Sequence, residues 1–428
     1  MPGTIAILSR IAFGCSIAVG VYANILGLLM TPAVQRFAVY AHKINTLFAG
    51  DDLNKPEAFG FAERQVTPFS LQTPDGETLY AWHILPVDVY ARNERALRDE
   101  ERPDGPAEDF TATSAFRLLT ADEPEPAKVV VTFHGNAGHI AQGWRTATYR
   151  NLASQANTHV ITIDYRGFGH STGSPTEAGL IIDGTALVDW VLKTANISPE
   201  RIVILGQSLG TAVAGAVALH FADPDSDLIP SESRELRPLL VEEGKLQPTT
   251  FAGVILVAPF SSLPSLMLTY RIGGLLPLLL PLRPFPSLAR ILTSQMVDKW
   301  LSAERLEAYY NAVSGNPQLL SSSVSGRSMG GLQLVHSIGD KDIPYHQTEM
   351  ICRRIFGQGE EPGVYEGAEA DGPVQCVDGS KGPTVLDVSA EGRPRVRFEI
   401  IEYGGHNRLI TYSQVAVAVA RAFEDLFD

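Results

Sequence analysis

The chain has 428 residues, 45% of them hydrophobic and 19% charged, and a formal net charge of −14. That composition excludes a disordered chain and argues against nucleic acid as a partner, because phosphate binding needs clustered Lys and Arg. The length allows one large domain with insertions, or two domains.

Residues 11–30, "IAFGCSIAVGVYANILGLLM", carry no charged side chain and match one membrane crossing in length. Arg10 precedes them while Arg36 and Lys43 follow, a balance that leaves the orientation open. A cleaved signal peptide would have a shorter apolar core, and only a poor small-residue cleavage site stands near Ala41. A buried helix of the globular part is the remaining alternative. The preferred reading is one transmembrane helix, with anchor and linker over residues 1–50 and a catalytic domain over 51–428. No catalytic motif precedes residue 130, so the first segment reads as a tether.

Residues 66–86 read as a hairpin, two strand-like runs around the turn signal Pro74-Asp75-Gly76. Residues 88–127 are polar and read as a solvated, mobile insertion. A regular alternation follows. The runs "KVVVTF", "HVITIDY", "RIVIL", "FAGVILVAP", "GLQLVHS" and "RVRFEIIEYG" alternate with helical segments, and "SQVAVAVARAFEDLF" closes the series. Short Val/Ile-rich runs between helices predict a mostly parallel sheet covered on both faces, with its site beyond the carboxyl ends of the strands. Three insertions interrupt the scheme: an acidic one at 222–250, one at 262–330 whose apolar stretch is either a buried core helix or a cap over the site, and a flexible acidic loop at 357–394.

The third of these runs ends in Gly206-Gln207-Ser208-Leu209-Gly210 and passes at once into the helical "TAVAGAVALHF". A G-x-S-x-G corner between strand and helix strains its central residue and lifts the hydroxyl out of the sheet edge. The glycines remove Cβ atoms that would clash there. A serine nucleophile needs a base, and the base needs an orienting carboxylate, in the chain order Ser, Asp or Glu, His for this fold type. Asp340 in "HSIGDKDIP" follows a strand and is preferred to its rival Asp342 as the acid. His406 follows the last strand, where Gly404 and Gly405 permit a sharp turn. An oxyanion hole takes the backbone N–H of Leu209 and that of Asn136 after "HG". Asp164 and Arg166 read as holders of a strand end and its loop. His134 and His139 lack a carboxylate or Cys at ligand spacing, so neither metal nor cofactor is expected. The cysteines are Cys15, Cys352 and Cys376; the last two are either a pair in an oxidising compartment or two free thiols.

The motifs "FHGNAG", "DYRGFGHSTGSPTEAG", "GQSLGTAVA", "HSIGDKDIP" and "GGHNRL", in this order, resemble the serine α/β-hydrolase superfamily. They resemble more closely its membrane-anchored monoacylglycerol and lysophospholipid (lysophosphatidylserine-type) lipases, over residues 125–428. The resemblance implies an α/β-hydrolase fold, Ser208 as nucleophile, Asp340 as acid, His406 as base, and a place in the endoplasmic reticulum membrane. Gln207 stands where His is common, and "HSIGD" replaces the usual His-Gly pair before the acid. The expected activity is hydrolysis of carboxylic esters of amphipathic lipids, monoacylglycerols or lysophospholipids, with the bilayer as partner. The alternatives are an acyl-protein thioesterase, a serine peptidase, or a catalytically silent hydrolase fold acting as a membrane-bound binding module.

Overall fold

The structure is a computed structural model. It describes residues 2–44, 52–101, 105–122, 125–236, 247–267, 269–272, 276–277, 279–282, 284–322, 325–357 and 375–424. The main sheet contains β1 (Val66–Gln72), β2 (Thr78–Ile84), β3 (Lys128–Phe133), β4 (Thr158–Ile163), β5 (Ile202–Gln207), β6 (Gly253–Val257), β9 (Gly331–Ser337), β10 (Thr384–Val388) and β11 (Val396–Ile401). A separate two-stranded ribbon pairs β7 (Arg271–Ile272) with β8 (Leu276–Pro277). The order across the main sheet is β1-β2-β4-β3-β5-β6-β9-β11-β10. Strands β4, β3, β5, β6, β9 and β11 run parallel, while the β1–β2 hairpin and β10 add antiparallel edges.

The parallel strands β4, β5 and β6 are buried along their whole length, as the unbroken apolar runs require once helices cover both faces. Helices in chain order are α1 (Pro2–Leu29), α2 (Pro32–Tyr40), α3 (Val87–Asp99), α4 (Ser114–Leu119), α5 (Arg145–Ala153), α6 (Glu177–Lys193), α7 (Leu209–Ala222) and α8 (Ser231–Glu235). There follow α9 (Leu263–Met267), α10 (Pro286–Ser294), α11 (Ser302–Val313), α12 (Pro317–Leu320), α13 (His346–Ile355), α14 (Gly405–Arg408) and α15 (Ser413–Glu424). Helix α7 is apolar all round and every residue of it is buried, because it is wedged between the sheet, α6 and α11.

Three sequence expectations change. The insertion at 88–127 is folded where it is described: α3 and α4 bury Leu97, Ala115 and Leu119, and Phe110 stacks on Phe69 at 4.5 Å. Its polar composition hid a few widely spaced apolar anchors. The cap expected over 262–330 is shorter, because α11 is a body helix. Its Ala303, Leu306, Tyr309, Tyr310 and Val313 form the helical stripe that packs on α7. The expected loop over 357–394 contains an edge strand, β10. Arg395 and Arg397 pin it by salt bridges to Asp387, at 2.7 Å each. Of the two readings left open for Cys352 and Cys376, the structure has the disulfide, which ties α13 to the chain leading into that strand.

The stretch expected as anchor and tether also has more structure than expected. The apolar run 11–30 falls in α1 and the turn that ends it, but Pro32 cannot continue the helix and starts α2 instead. Among the described residues no single helix is long and apolar enough to cross a membrane; the pair Phe13–Leu29 and Pro32–Tyr40 passes together, bent by 91°. Helix α2 packs on the body. Tyr40 is fully buried, its hydroxyl donates to Asp298 at 2.8 Å, and Arg36 pairs with the same carboxylate at 3.2 Å. Gln35 accepts the Val297 N–H at 3.0 Å and donates to the Gln295 carbonyl at 3.2 Å.

Candidate active site

Ser208 lies between β5 and α7 with φ 52° and ψ −121°, in the left-handed region that β-carbon sterics normally forbid. The strain is held from several sides. The Ser208 N–H donates to the Val257 carbonyl at 3.0 Å, and the Thr211 hydroxyl donates to the Ser208 carbonyl at 2.6 Å. A Cβ at Gly206 would collide with the Gly210 backbone, and one at Gly210 with the Phe133 carbonyl. Any side chain at either position would therefore push the serine off its corner.

The structure brings Ser208, His406 and Asp340 together from three strand ends. His406 Nε2 lies 3.0 Å from Ser208 Oγ, and His406 Nδ1 lies 2.8 Å from Asp340 Oδ2. The tautomer that serves both bonds carries its proton on Nδ1 and accepts the serine hydroxyl at Nε2. Gly404 and Gly405, with φ of 125° and 59°, make the turn that swings the ring over the sheet edge. Asp342 does not reach His406 in this way; its N–H donates to Asp340 Oδ1 at 3.0 Å, beside that of Ile343 at 2.9 Å.

Electrostatics follow from this packing. Burial alone would raise the Asp340 pKa, but hydrogen bonds and charge from His336 and His406 hold it well below the usual carboxylate range. Burial would lower the His406 pKa, yet the bond to Asp340 and the charges of Asp340 and Asp342 raise it. Asp340, Asp342 and His406 offer ligand atoms within 4.8 Å of one another. A cation there would compete with the Asp340–His406 bond and with both amide bonds to Asp340.

Leu209 opens α7, so no carbonyl within its own helix stands one turn back to take its N–H. Asn136 lies in the loop after β3, and both residues border the same cavity as Ser208 and His406. That cavity holds about 660 Å³ and is mostly apolar, with Phe260, Leu266, Met267 and Met296 among its walls.

Two residues, Arg145 and His336, were given no role in the sequence, and Gln207 was noted only as a departure from the family pattern. Arg145 is the clamp of the loop that carries Asn136. Its Nη2 donates to the carbonyls of Gly135, Asn136 and Ala137 at 2.9, 2.8 and 3.0 Å, and its Nη1 to that of His139. Burial pushes its pKa down. His336 is fully buried, with Nε2 3.4 Å from Asp340 Oδ2 and 2.9 Å from the Ile343 carbonyl. Gln207, at the position where His was the usual residue, donates to the His406 carbonyl at 3.3 Å. No local pattern marks Arg145, because its partners are main-chain carbonyls. The residue "H" of "HSIGD" was the one available signal for His336.

Asp164 and Arg166 sit where the expectation put them. Asp164 Oδ1 accepts the Ile140 N–H at 2.7 Å, and burial pushes that carboxyl up to about 7. Arg166 bridges Asp75 of the β1–β2 turn and Asp183 of α6. His134 Nδ1 is 2.7 Å from the Gly135 carbonyl, and His139 Nδ1 accepts the Ala141 N–H at 3.2 Å.

A profile of the alpha/beta hydrolase family matches residues 129–422. The chain is 38% identical over 121 residues to protein bem46 of Schizosaccharomyces pombe, which covers 28% of this chain and 40% of that protein. It is 29% identical over 234 residues to lysophosphatidylserine lipase ABHD12 of Danio rerio, 54% of each. The chain thus spans about half the length of the curated relatives it matches. Among solved structures, an alpha-beta hydrolase from Vibrio vulnificus shares the fold with a TM-score of 0.52 at 12% identity, over 91% of this chain and 93% of that one.

Proposed function

The chain belongs to the alpha/beta hydrolase family, and from that premise we propose that it is a membrane-anchored serine hydrolase of lipid carboxylic esters. The observation that carries this reading is the relay of hydrogen bonds from Asp340 through His406 to Ser208, at 2.8 and 3.0 Å. Ser208 Oγ attacks the ester carbonyl while His406 Nε2 takes its proton. Negative charge gathers on the former carbonyl oxygen, which receives the N–H groups of Leu209 and Asn136. Collapse of the tetrahedral intermediate breaks the bond to the alcohol, and the imidazolium returns the proton to that leaving oxygen. Water then repeats the cycle on the acyl-enzyme and releases the fatty acid. Asp340 stays ionised and orients the ring throughout.

Three observations favour a lipid ester. The cavity beside Ser208 is large and apolar. Residues 11–29 of α1 are uncharged and expose Phe13, Ile17, Val21 and Leu28, a surface that suits hydrocarbon better than water. Relatives include lysophosphatidylserine lipases. The proposed location is the endoplasmic reticulum membrane, with α1 inserted and the hydrolase body in its lumen. The Cys352–Cys376 bond supports that side, because disulfides persist in oxidising compartments.

The experiment is labelling of full-length protein with a fluorophosphonate probe, paired with a lipid-extract assay comparing wild type and Ser208→Ala. Labelling lost in the variant, together with monoacylglycerols or lysophospholipids consumed by the wild type alone, is the expected result. A wild type that is not labelled would make the chain a silent binding module.

A further inference from the structure

The cavity lined by Ser208 is also lined by the N-terminal helix. Leu26, Leu29 and Met30 are in its lining, with Leu292 and Met296 from α10 and the residues after it. None of these five side chains carries a charge or a hydrogen-bonding hydroxyl. On α1 the half-buried residues Tyr22, Leu26 and Leu29 stand at helical spacing, so one face of the helix turns inward. The side flanking that face is also apolar and exposed, at Val21, Ile25 and Leu28. On α10, Leu292 lines the cavity, while Leu288, one turn earlier, and Ile291 are exposed. Exposed apolar side chains beside an inward-facing apolar stripe, at a protein surface, suit a hydrocarbon surround.

The end of α1 is not loosely placed. Helix α2 follows it after two residues, and its Val39 and Tyr40 carbonyls accept the Asn136 side-chain amide and the Ala137 N–H at 3.3 and 2.9 Å. Gln35 bonds the main chain just after α10 on the cap side. Helix α2, which begins two residues after α1, is therefore held against both the loop beside Ser208 and the segment after α10.

We propose that the last turn of α1 and the facing side of α10 form the subsite for the fatty-acyl chain, and that the chain enters it laterally from the bilayer between these two helices. The proposal rests on the serine-hydrolase reading above and deepens it: the membrane helix selects the acyl group as well as holding the enzyme at the membrane. Leu29 and Leu292 become specificity-determining residues on opposite walls.

The test uses full-length protein in mixed micelles, with a series of monoacylglycerols from short to long chain, and with fluorophosphonate labelling as the independent check on Ser208. Leu29→Trp and Leu292→Trp each fill the subsite. Each should lower kcat/KM for long chains relative to short ones by at least about tenfold, the scale of discrimination a crowded apolar pocket gives. Leu29→Ala and Leu292→Ala enlarge it and should move the optimum to longer chains; they decide the matter should a tryptophan variant fail to fold. Chain-length profiles within twofold of wild type in labelled variants of both walls would overturn the subsite. An unlabelled wild type would instead overturn the reading of Ser208, and the subsite would fall with it.

Discussion

The Tyr40 carbonyl accepts the Ala137 N–H at 2.9 Å, so the helix that follows the apolar N-terminal segment is bonded to the residue beside Asn136. A segment with no catalytic motif of its own thereby helps to shape the loop beside Ser208.

Loosening that helix should lower stability as well as activity. Asp298→Ala leaves the buried Tyr40 hydroxyl without its acceptor and Arg36 without its partner. The expected loss is about 1–3 kcal/mol, read as a lower Tm. Turnover of a water-soluble short-chain ester should fall with it at temperatures where the variant remains folded. A normal rate with a lowered Tm would mean that α2 only braces the fold.

Ser208→Ala should abolish ester hydrolysis in protein that still folds, a loss of about 10⁶ in kcat by analogy with other triad nucleophiles. Circular dichroism checks the fold, and residual turnover above a few per cent in purified protein would remove Ser208 from the role.

Asp340→Asn should lower kcat by about 10⁴, and Asp342→Asn far less, because Asp340 Oδ2 bonds to His406 Nδ1 at 2.8 Å. The pH profile supplies a second reading. Neutral His406 is the competent base and its pKa is raised, so kcat/KM should fall as pH drops through a point above 6.5. Without the Asp340 charge the raising influence weakens while burial still lowers the pKa. The inflection of Asp340→Asn should therefore move to lower pH, and one that stays in place would contradict the pairing.

Arg145→Met removes the donor shared by the carbonyls of Gly135, Asn136 and Ala137. If the Asn136 N–H stabilises the oxyanion, kcat should drop by about 10² with KM little changed. Arg145→Lys should recover part of the loss, since an ammonium reaches fewer of these carbonyls than the guanidinium fork. Equal losses in kcat and in thermal stability, with no partial rescue, would reduce Arg145 to a purely structural clamp.

Much of this molecule is written locally. The strand runs around Ser208 are continuous and apolar because both faces of the sheet are covered, so periodicity and composition were enough to find them. The serine corner is legible because its glycines answer short-range clashes with Phe133 and Gly210. The order of Ser208, Asp340 and His406 along the chain follows from the order of strands in such a sheet. What the tertiary structure decided is long-range. The choice of Asp340 over Asp342 depends on which carboxylate the Gly404–Gly405 turn brings to the ring. Edge strand β10 depends on Arg395 and Arg397, whose charges hold a short strand inside an acidic stretch. The roles of Arg145 and α2 rest on main-chain carbonyls, which every residue owns and which leave no trace in side-chain pattern. The sequence states which residues can do chemistry; only the fold states which backbone atoms they meet, because those distances arise from packing between segments far apart in the chain.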